Sequence, residues 1–323
     1  MQALCARICE NKTTLIVFHA RPDGDAVGSA FALKDILDAM GINSICLCDD
    51  EVPERLRFLS DSFQGSVIPD STLDFGHERV ISVDSASPSQ LGELFVRLRR
   101  DVDLMIDHHA SGTPYADNYI DVSASATGEI IYLLAAYLVR AGKLDAIPKR
   151  AVNCMYAAIS SDTGGFKYSN ATPRTHMIAA KLLELGADAA EINRRLFDSK
   201  SIAQIKAEGE AARRLRTFDG SSIAATTFPY SSKLSLGVCD DDLATIIEIP
   251  RSVSSAVVAV SVRQPEEKGF FRVSMRSRDN VDVSRICALF GGGGHIRAAG
   301  CSIEARDIDE ALDKLIEAIK ANK

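Results

Sequence analysis

Four short segments of the sequence carry side chains of the types that bind divalent cations and activate water. Together they supply three imidazoles and five carboxylates. Crowding so many acids without a cation would cause strong repulsion and large pKa shifts, and a divalent metal removes that conflict. The sequence therefore predicts a metal site where the four segments meet. The residues are His19, Asp23 and Asp25, then Asp84, then Asp107, His108 and His109, and finally Asp162.

The donor atoms are nitrogen and oxygen, without thiolate, which favours manganese, magnesium or iron over structural zinc. Manganese accepts imidazole more readily than magnesium does. The ligands suffice for two ions that share a bridging carboxylate. Two ions about 3.5–4 Å apart can activate a shared water and hold both sides of an in-line attack at phosphorus. We expect two Mn²⁺ per active site, with Mg²⁺ or another divalent ion as the alternative, and hydrolysis of a phosphoester.

Hydrophobic runs alternate with helical patterns in the first half, which predicts an α/β domain with a mostly parallel sheet flanked by helices. Because the carboxyl ends of parallel strands meet at one edge of a sheet, side chains that follow these strands are expected to face a common ligand. Strands are predicted at 15–18, 42–47, 80–83 and 104–106, and helices at 26–40, 127–141, 149–160 and 174–185.

A second, smaller α/β domain is predicted after a charged helical connection that lacks strand patterns. We expect the catalytic domain at 1–192, the connection at 193–214 and the second domain at 215–323. The predicted strands of the second domain are 222–228, 256–263 and 270–275, and its predicted helices are 283–290 and 309–321.

The second domain contains a run of glycines that suits nucleotide binding. Without side chains, Gly292, Gly293 and Gly294 let backbone N–H groups approach a phosphate or a base, and His295 adds a polar contact. We expect this run to form an ordered loop that leads into a turn at 298–300. In the preceding strand, Arg276 is suited to bidentate phosphate recognition, and Ser277 lies beside it.

These segments, in order, resemble the four motifs of the DHH phosphoesterase superfamily. The first is His19-x3-Asp23-x-Asp25-x2-Gly28-Ser29, and residues 290–300 resemble the glycine-rich signature of the associated C-terminal domain. The resemblance implies that Asp107 orients the histidine pair and that His109 faces the scissile phosphate, both in catalytic roles. It also implies one manganese ion on His19, Asp23 and Asp84, and a second on Asp25, Asp84, His108 and Asp162.

By this resemblance, the size and motifs suit the stand-alone family members that degrade very short RNA. They imply hydrolysis of short oligoribonucleotides to nucleoside monophosphates, and of 3′-phosphoadenosine 5′-phosphate (pAp) to AMP. The active site is expected in a cleft between the domains, where Arg276, Ser277, the glycines 292–294 and His295 hold the nucleotide. The expected partners are short single-stranded RNA, pAp or related nucleotides, and a homodimer is possible.

Two alternatives stay open. One is a soluble phosphodiesterase of the same superfamily that acts on cyclic di-AMP or its linear product pApA. The other is a nucleotide-binding regulator without turnover, against which the intact carboxylates of every motif count. An oxidoreductase of the dinucleotide-binding class would need G-x-G-x-x-G after the first strand, where this chain has Arg-Pro-Asp-Gly-Asp.

Length, composition and charge narrow the classes of protein to which the chain can belong. With 323 residues, 46% hydrophobic and 25% charged, the chain is expected to fold rather than be disordered. Its apolar runs are far shorter than the ~20 residues that span a bilayer, and its first 30 residues lack a secretory pattern, so we expect no membrane association and a cytoplasmic location. Residues 263–297 have seven basic and four acidic residues, an excess too small for binding a long duplex.

Overall fold

The structure, a computed structural model, describes residues 1–60, 76–98, 101–110, 112–267, 269–278 and 281–322, with only the backbone described at Asp241 and His295. The chain divides into two units, Met1–Ser199 and Lys200–Lys323. The predicted strand segments of the first half and all the predicted metal-binding residues lie in the first unit.

The first unit is built on a five-stranded sheet in the order β2-β1-β3-β4-β5, in which every pair of neighbours is parallel. The α/β prediction, with a parallel sheet in the first half, is confirmed. The sequence analysis missed β5 because this edge strand is mostly polar and partly exposed, so it has no hydrophobic run. The strands are β1 Thr14–Phe18, β2 Ser44–Leu47, β3 Arg79–Val83, β4 Leu104–Asp107 and β5 Asp117–Ile120.

Helices surround this sheet, and one of them forms the centre of the core. In helix α2 every residue from Gly24 to Leu37 is buried, which matches its nearly continuous run of small and apolar residues. Helices α5 and α6 pack beside it. The helices of this unit are α1 Gln2–Ile8, α2 Gly24–Ala39, α3 Arg57–Ser60, α4 Glu93–Arg97, α5 Thr127–Arg140, α6 Lys149–Asp162, α7 Pro173–Glu184 and α8 Ala189–Asn193.

Two glycines allow α2, α5 and α6 to approach closely. A Cβ on Gly28 of α2 would lie 2.5 Å from the carbonyl oxygen of Cys154 in α6. A Cβ on Gly128 of α5 would lie 2.6 Å from the Cβ of Ala158, also in α6. Because α2 begins beside Asp23 and α6 ends at Asp162, this close packing sets the spacing of two predicted metal-binding segments.

The second unit contains a six-stranded mixed sheet in the order β10-β11-β9-β8-β7-β6. Its β7 and β8 are parallel, and its other neighbouring pairs are antiparallel. The strands are β6 Arg216–Phe218, β7 Ile223–Phe228, β8 Val258–Arg263, β9 Phe270–Ser277, β10 Gly293–His295 and β11 Ala298–Glu304. The helices are α9 Ile202–Arg213, α10 Tyr230–Leu236, α11 Glu248–Arg251, α12 Val283–Ala288 and α13 Ile308–Asn322.

The glycine run is a hairpin rather than the predicted loop, and the predicted turn at 298–300 was wrong. Strand β10 pairs antiparallel with the start of β11, so that His295 lies opposite Ala298. A Cβ on Gly294, whose φ is +141°, would lie 2.5 Å from the carbonyl oxygen of Ala298. The absence of a side chain at Gly294 therefore serves close strand pairing, whereas the sequence analysis interpreted the glycines as an ordered loop that lets backbone N–H groups approach a ligand.

Within the described ranges, the structure contains no helix that is both long and apolar enough to cross a membrane.

We predict that Gly28→Ala destabilises the protein, since the new methyl group would overlap the backbone of α6. Overpacking of this kind costs about 1–3 kcal/mol, and urea unfolding followed by circular dichroism measures it. Gly209→Ala is the matched control, because Gly209 is exposed in α9 and a Cβ there meets nothing within 4 Å. This variant should be as stable as the parent or slightly more so. Equal stability of Gly28→Ala and the parent would contradict the close packing of α2 on α6.

Candidate metal centre

The predicted metal-binding segments converge at one place in the first unit. Their potential ligand atoms form three groups, and within each group all atoms lie within 4.8 Å of one another. All six residues predicted as ligands belong to these groups, and His109 joins the third. The groups are His19, Asp23 and Asp84; Asp25, His108 and Asp162; and Asp84, His108 and His109.

Asp84 connects the groups through its two carboxylate oxygens. Its Oδ2 lies 3.7 Å from Nε2 of His19, and its Oδ1 lies 3.7 Å from Nε2 of His108. Asp84 directly follows β3 and has a φ of +56°, in the left-handed region that aspartate tolerates better than most residues. Its backbone N–H donates to the carbonyl of Ile106 in β4 at 2.9 Å, which holds this turn in place. The carboxylate is thus directed between the two histidines.

Backbone carbonyls orient both histidines. Nδ1 of His19 lies 2.9 Å from the carbonyl oxygen of Ala20, and Nδ1 of His108 lies 3.2 Å from that of Ala124. Because a carbonyl only accepts, the proton of each neutral ring resides on Nδ1. Nε2 then presents its lone pair to the carboxylates, which is the usual arrangement of a metal-binding histidine.

Asp25 is fully buried and is held at the N-terminus of α5. Its Oδ1 accepts from the hydroxyl of Ser29 at 2.7 Å and from the backbone N–H of Gly128 at 3.0 Å, and its Oδ2 accepts from the backbone N–H of Thr127 at 2.6 Å. The helix terminus partly offsets the negative charge. Even so, burial and the neighbouring charges of Asp84 and Asp23 raise the pKa of Asp25 well above its usual value.

Asp162, the last residue of α6, lies in the same crowded environment. Burial and the charge of Asp25, followed by those of Asp23 and Asp84, raise the pKa of its carboxyl well above the usual value. Its Oδ2 lies 3.3 Å from Nε2 of His108. Burial, together with repulsion among the carboxylates, therefore raises the pKa values of Asp25 and Asp162.

This donor set fits a pair of divalent cations. Nε2 of His108 faces oxygens of Asp162, Asp25 and Asp84 at 3.3, 3.7 and 3.7 Å, and Nε2 of His19 lies 3.8 Å from Oδ1 of Asp23. All donors are imidazole nitrogen or carboxylate oxygen, as hard or borderline divalent ions prefer. Four ionised aspartates carry a charge of −4, which two divalent cations would balance.

Asp107 and His109 form a pair beside these groups. Oδ1 of Asp107 accepts from the backbone N–H of His108 at 2.7 Å, and from the backbone N–H and Nδ1 of His109 at 3.2 and 2.7 Å. Burial lowers the pKa of His109, but its hydrogen bond with Asp107 and the charge of Asp84 outweigh this and raise the pKa to about 9. Asp107 therefore holds the backbone of both histidines and the ring of His109.

Sequence analysis assigned no role to Thr127, although this residue contacts two of the predicted ligands. Its backbone N–H donates to Asp25, and its hydroxyl donates to Oδ1 of Asp84 at 2.8 Å. Asn170 was also missed, and its Nδ2 donates to the carbonyls of Asp162 and Ser125 at 3.1 and 3.2 Å. The available signal was the run of small and hydroxyl residues at 123–128, where the sequence analysis recognised only the start of a helix.

The residues predicted to bind substrate lie in the second unit, around β9 and the glycine hairpin. Ala298 pairs with His295 on one side and with Arg276 on the other, so the backbones of these three residues form one row across the sheet. Nη1 of Arg276 donates to the carbonyl of Met275 at 2.9 Å. The hydroxyl of Ser277 donates to the carbonyl of Val281 at 2.7 Å.

Comparison with known families identifies both units. Residues 13–159 match the DHH family, N-terminal domain, and residues 220–321 match the DHHA1 domain. The chain combines a DHH domain with a DHHA1 domain. The enzyme class expected from the sequence, a hydrolytic phosphoesterase, is thereby confirmed.

Three known proteins show how far this similarity extends. A bifunctional oligoribonuclease and PAP phosphatase NrnA from Thermus thermophilus is 29% identical over 94% of this chain and 88% of its own length. A cyclic-di-AMP phosphodiesterase GdpP from Geobacillus thermodenitrificans is 26% identical over 98% of this chain but only 48% of its own length. The crystal structure of an exopolyphosphatase-related protein from Bacteroides fragilis superposes with a TM-score of 0.90 at 22% identity, covering 99% of this chain and 96% of that one, which shows a shared fold.

We predict that the protein binds two Mn²⁺ per chain and that Asp84→Asn weakens this binding severely. Asp84 belongs both to the group that contains His19 and to the group that contains His108 and His109. The loss of affinity should exceed the about 10–100-fold typical of removing a partner that only supports a ligand. Isothermal titration of the metal-free protein with Mn²⁺ measures it. Glu184→Gln removes an exposed carboxylate of α7 and should leave both affinities unchanged. Unaltered Mn²⁺ binding by Asp84→Asn would contradict the shared position of Asp84.

Proposed function

We propose that this protein is a manganese-dependent phosphoesterase that hydrolyses short oligoribonucleotides to nucleoside monophosphates and pAp to AMP. The observation that carries the proposal is the convergence of six residues with N and O ligand atoms, Asp84 among them, beside the Asp107–His109 pair. The similarity to the Thermus thermophilus oligoribonuclease and PAP phosphatase over nearly the full chain supports this choice of substrates.

We propose the two ligand sets that the family resemblance implies, and the three groups of neighbouring ligand atoms support them. His19, Asp23 and Asp84 would hold one cation; Asp25, Asp84, His108 and Asp162 would hold the other. When bound, the two cations would lower the pKa of a water between them and offset the charge of the phosphate. The carboxylates would keep both positions close together, and the carbonyl-bound histidines would hold the direction of their Nε2 atoms.

His109 is proposed to act on the substrate directly. Asp107 engages its Nδ1, so Nε2 is the atom with which His109 would contact the scissile phosphate. A proton held at this nitrogen would stabilise the charge that develops on the phosphate or pass to the leaving oxygen. Asp107 would maintain the ring in this orientation, since one of its oxygens accepts three hydrogen bonds from the two histidines.

Recognition of the nucleotide is proposed to lie in the DHHA1 unit. Arg276 would donate to a phosphate, with Ser277 and the backbone N–H groups of the hairpin glycines nearby. His295 shares the row of Arg276 across the sheet. This assembly of donors suits a terminal phosphate and thus a short substrate.

A second candidate is a phosphodiesterase for cyclic di-AMP or pApA. The similarity to the GdpP cyclic-di-AMP phosphodiesterase over 98% of this chain favours it. Both candidates would use the same metal ligands, so only a comparison of nucleotide substrates distinguishes them.

Turnover with Mn²⁺ of pAp, labelled di- to pentaribonucleotides, pApA and cyclic di-AMP, side by side, tests the proposal. We predict the largest kcat/KM for pAp and the short ribonucleotides, and none for any substrate with Asp84→Ala, since both cation positions lose a ligand. A clear preference for cyclic di-AMP or pApA would favour the second candidate. Binding of these nucleotides without any turnover would instead indicate a regulator.

Arg276→Ala should raise KM for pAp by about 10–100-fold, which corresponds to the about 1.5–3 kcal/mol of a charged hydrogen bond. Turnover of an artificial aryl phosphodiester, which lacks the nucleotide, should change little. Arg272→Ala is the matched control, because Arg272 is a half-exposed arginine of the same strand. Equal losses on both substrates would remove Arg276 from recognition.

A further inference from the structure

The first turn of α5 links two ligands that lie far apart in the sequence. Within Thr127, the backbone N–H donates to Oδ2 of Asp25 at 2.6 Å and the hydroxyl donates to Oδ1 of Asp84 at 2.8 Å. Gly128 adds a second backbone donor to Asp25 at 3.0 Å. The side chains of Asp25, Asp84 and Thr127 are all buried. The position of Thr127 is therefore fixed by its backbone, and its hydroxyl is directed at the carboxylate shared by the ligand groups.

We propose that Thr127 is a positioning residue that fixes the rotation of the Asp84 carboxylate, so that one oxygen faces His19 and the other faces His108. This inference rests on the proposed two-cation function. It adds to that function the residue that makes Asp84 a bridge rather than a ligand of one cation.

The geometry of Asp84 explains why such a residue is needed. A carboxylate rotates readily about its last bond, since this torsion has no sharp minima. Its two oxygens nevertheless lie equally far, 3.7 Å, from Nε2 of His19 and Nε2 of His108. Nδ1 of His109 also lies 3.7 Å from Oδ1 but is engaged by Asp107, whereas the hydroxyl of Thr127 donates to Oδ1 at 2.8 Å. The hydroxyl of Thr127 is thus the short contact that selects this rotation.

The threonine side chain suits this task. Its branched Cβ limits its first side-chain torsion to few rotamers, and the one adopted here directs the hydroxyl at Asp84. The same hydroxyl retains its donor role whether or not the site is loaded, because donation to Oδ1 leaves further lone pairs on the carboxylate. Thr127 therefore supports the bridge without competing for the cations.

A buried ion-pair network holds the start of α5 itself. Glu129 is fully buried and accepts from the hydroxyl of Ser125 at 2.5 Å and from Nε of Arg174 at 2.9 Å. Arg174 also donates to Asp121 at 2.9 Å, at the beginning of the loop before α5. These contacts hold the residues before and after Thr127, so loss of the Thr127 hydroxyl should leave the helix in place.

The test is Thr127→Val, which preserves the shape and removes only the hydroxyl donor. The readouts are the Mn²⁺ affinities from isothermal titration and the electron paramagnetic resonance spectrum of the loaded protein, which distinguishes coupled Mn²⁺ pairs from isolated ions. Loss of a residue that orients a metal ligand costs about 10–100-fold in affinity. We expect a loss of this size for one of the two ions, with the pair spectrum replaced by that of isolated Mn²⁺.

Thr127→Ser retains the hydroxyl and should restore the pair spectrum, whereas a residue needed only for packing would not be rescued in this way. Thr226→Val is the matched control, because Thr226 is also buried and donates its hydroxyl to a carbonyl, that of Ala211, in the second unit. Thr226→Val should keep the coupled Mn²⁺ pair. If Thr127→Val proves too unstable to purify, Thr127→Ala removes the same donor without adding volume, and the same readouts apply.

The outcomes separate this inference from the proposed function. If the parent protein binds no Mn²⁺ pair, the two-cation function itself fails. If the parent binds the pair and Thr127→Val binds it with unchanged affinities and spectrum, the proposed function stands and the role of Thr127 is overturned. Failure of Thr127→Ser to restore the pair would also overturn that role.

Discussion

The electrostatic repulsion among the carboxylates of Asp23, Asp25, Asp84 and Asp162 is the constraint on which the first unit depends. Burial and mutual repulsion raise the pKa values of Asp25, Asp84 and Asp162 in the structure. The fold reduces this cost with the N-terminus of α5, and two divalent cations would balance the remaining charge. Burial of these carboxylates is unfavourable for folding, but the same carboxylates would concentrate positive charge at the site.

Close helix packing makes this concentration of acids possible. Gly28 and Gly128 let α2, α5 and α6 approach to distances that side chains would prevent. The start of α2 and the end of α6 then bring ligand atoms of Asp25 and Asp162 to within 4.8 Å of His108, which directly follows β4. The small residues in the core therefore allow the charged residues to lie close together at the edge of the sheet.

Much of this arrangement followed from the sequence. Asp84 and His108 were predicted to meet because each follows a buried hydrophobic run, and parallel strands align their carboxyl ends. The four longest helices of this unit, α2, α5, α6 and α7, were also predicted, because their patterns are long and regular, whereas the short helices α1, α3, α4 and α8 were missed. These features depend on local patterns that a sequence displays directly.

What the sequence did not reveal depends on contacts between distant segments. Thr127 is 102 residues from Asp25 and 43 from Asp84, and the run of small and hydroxyl residues around it does not show which distant side chains it contacts. Strand β5 depends on pairing with β4 rather than on apolar residues of its own. The hairpin of β10 and β11 was mistaken for a loop because glycine permits both, and only the partner strand decides between them.

The spread of the ligands along the chain has a consequence for folding. Cations held by His19 and Asp162 would tie together segments separated by most of the first unit, much as a covalent cross-link closes a long loop. Ions that bind only the folded state stabilise it by mass action. Supply of metal in the cell would then govern the lifetime of the folded chain against proteases, in addition to its turnover.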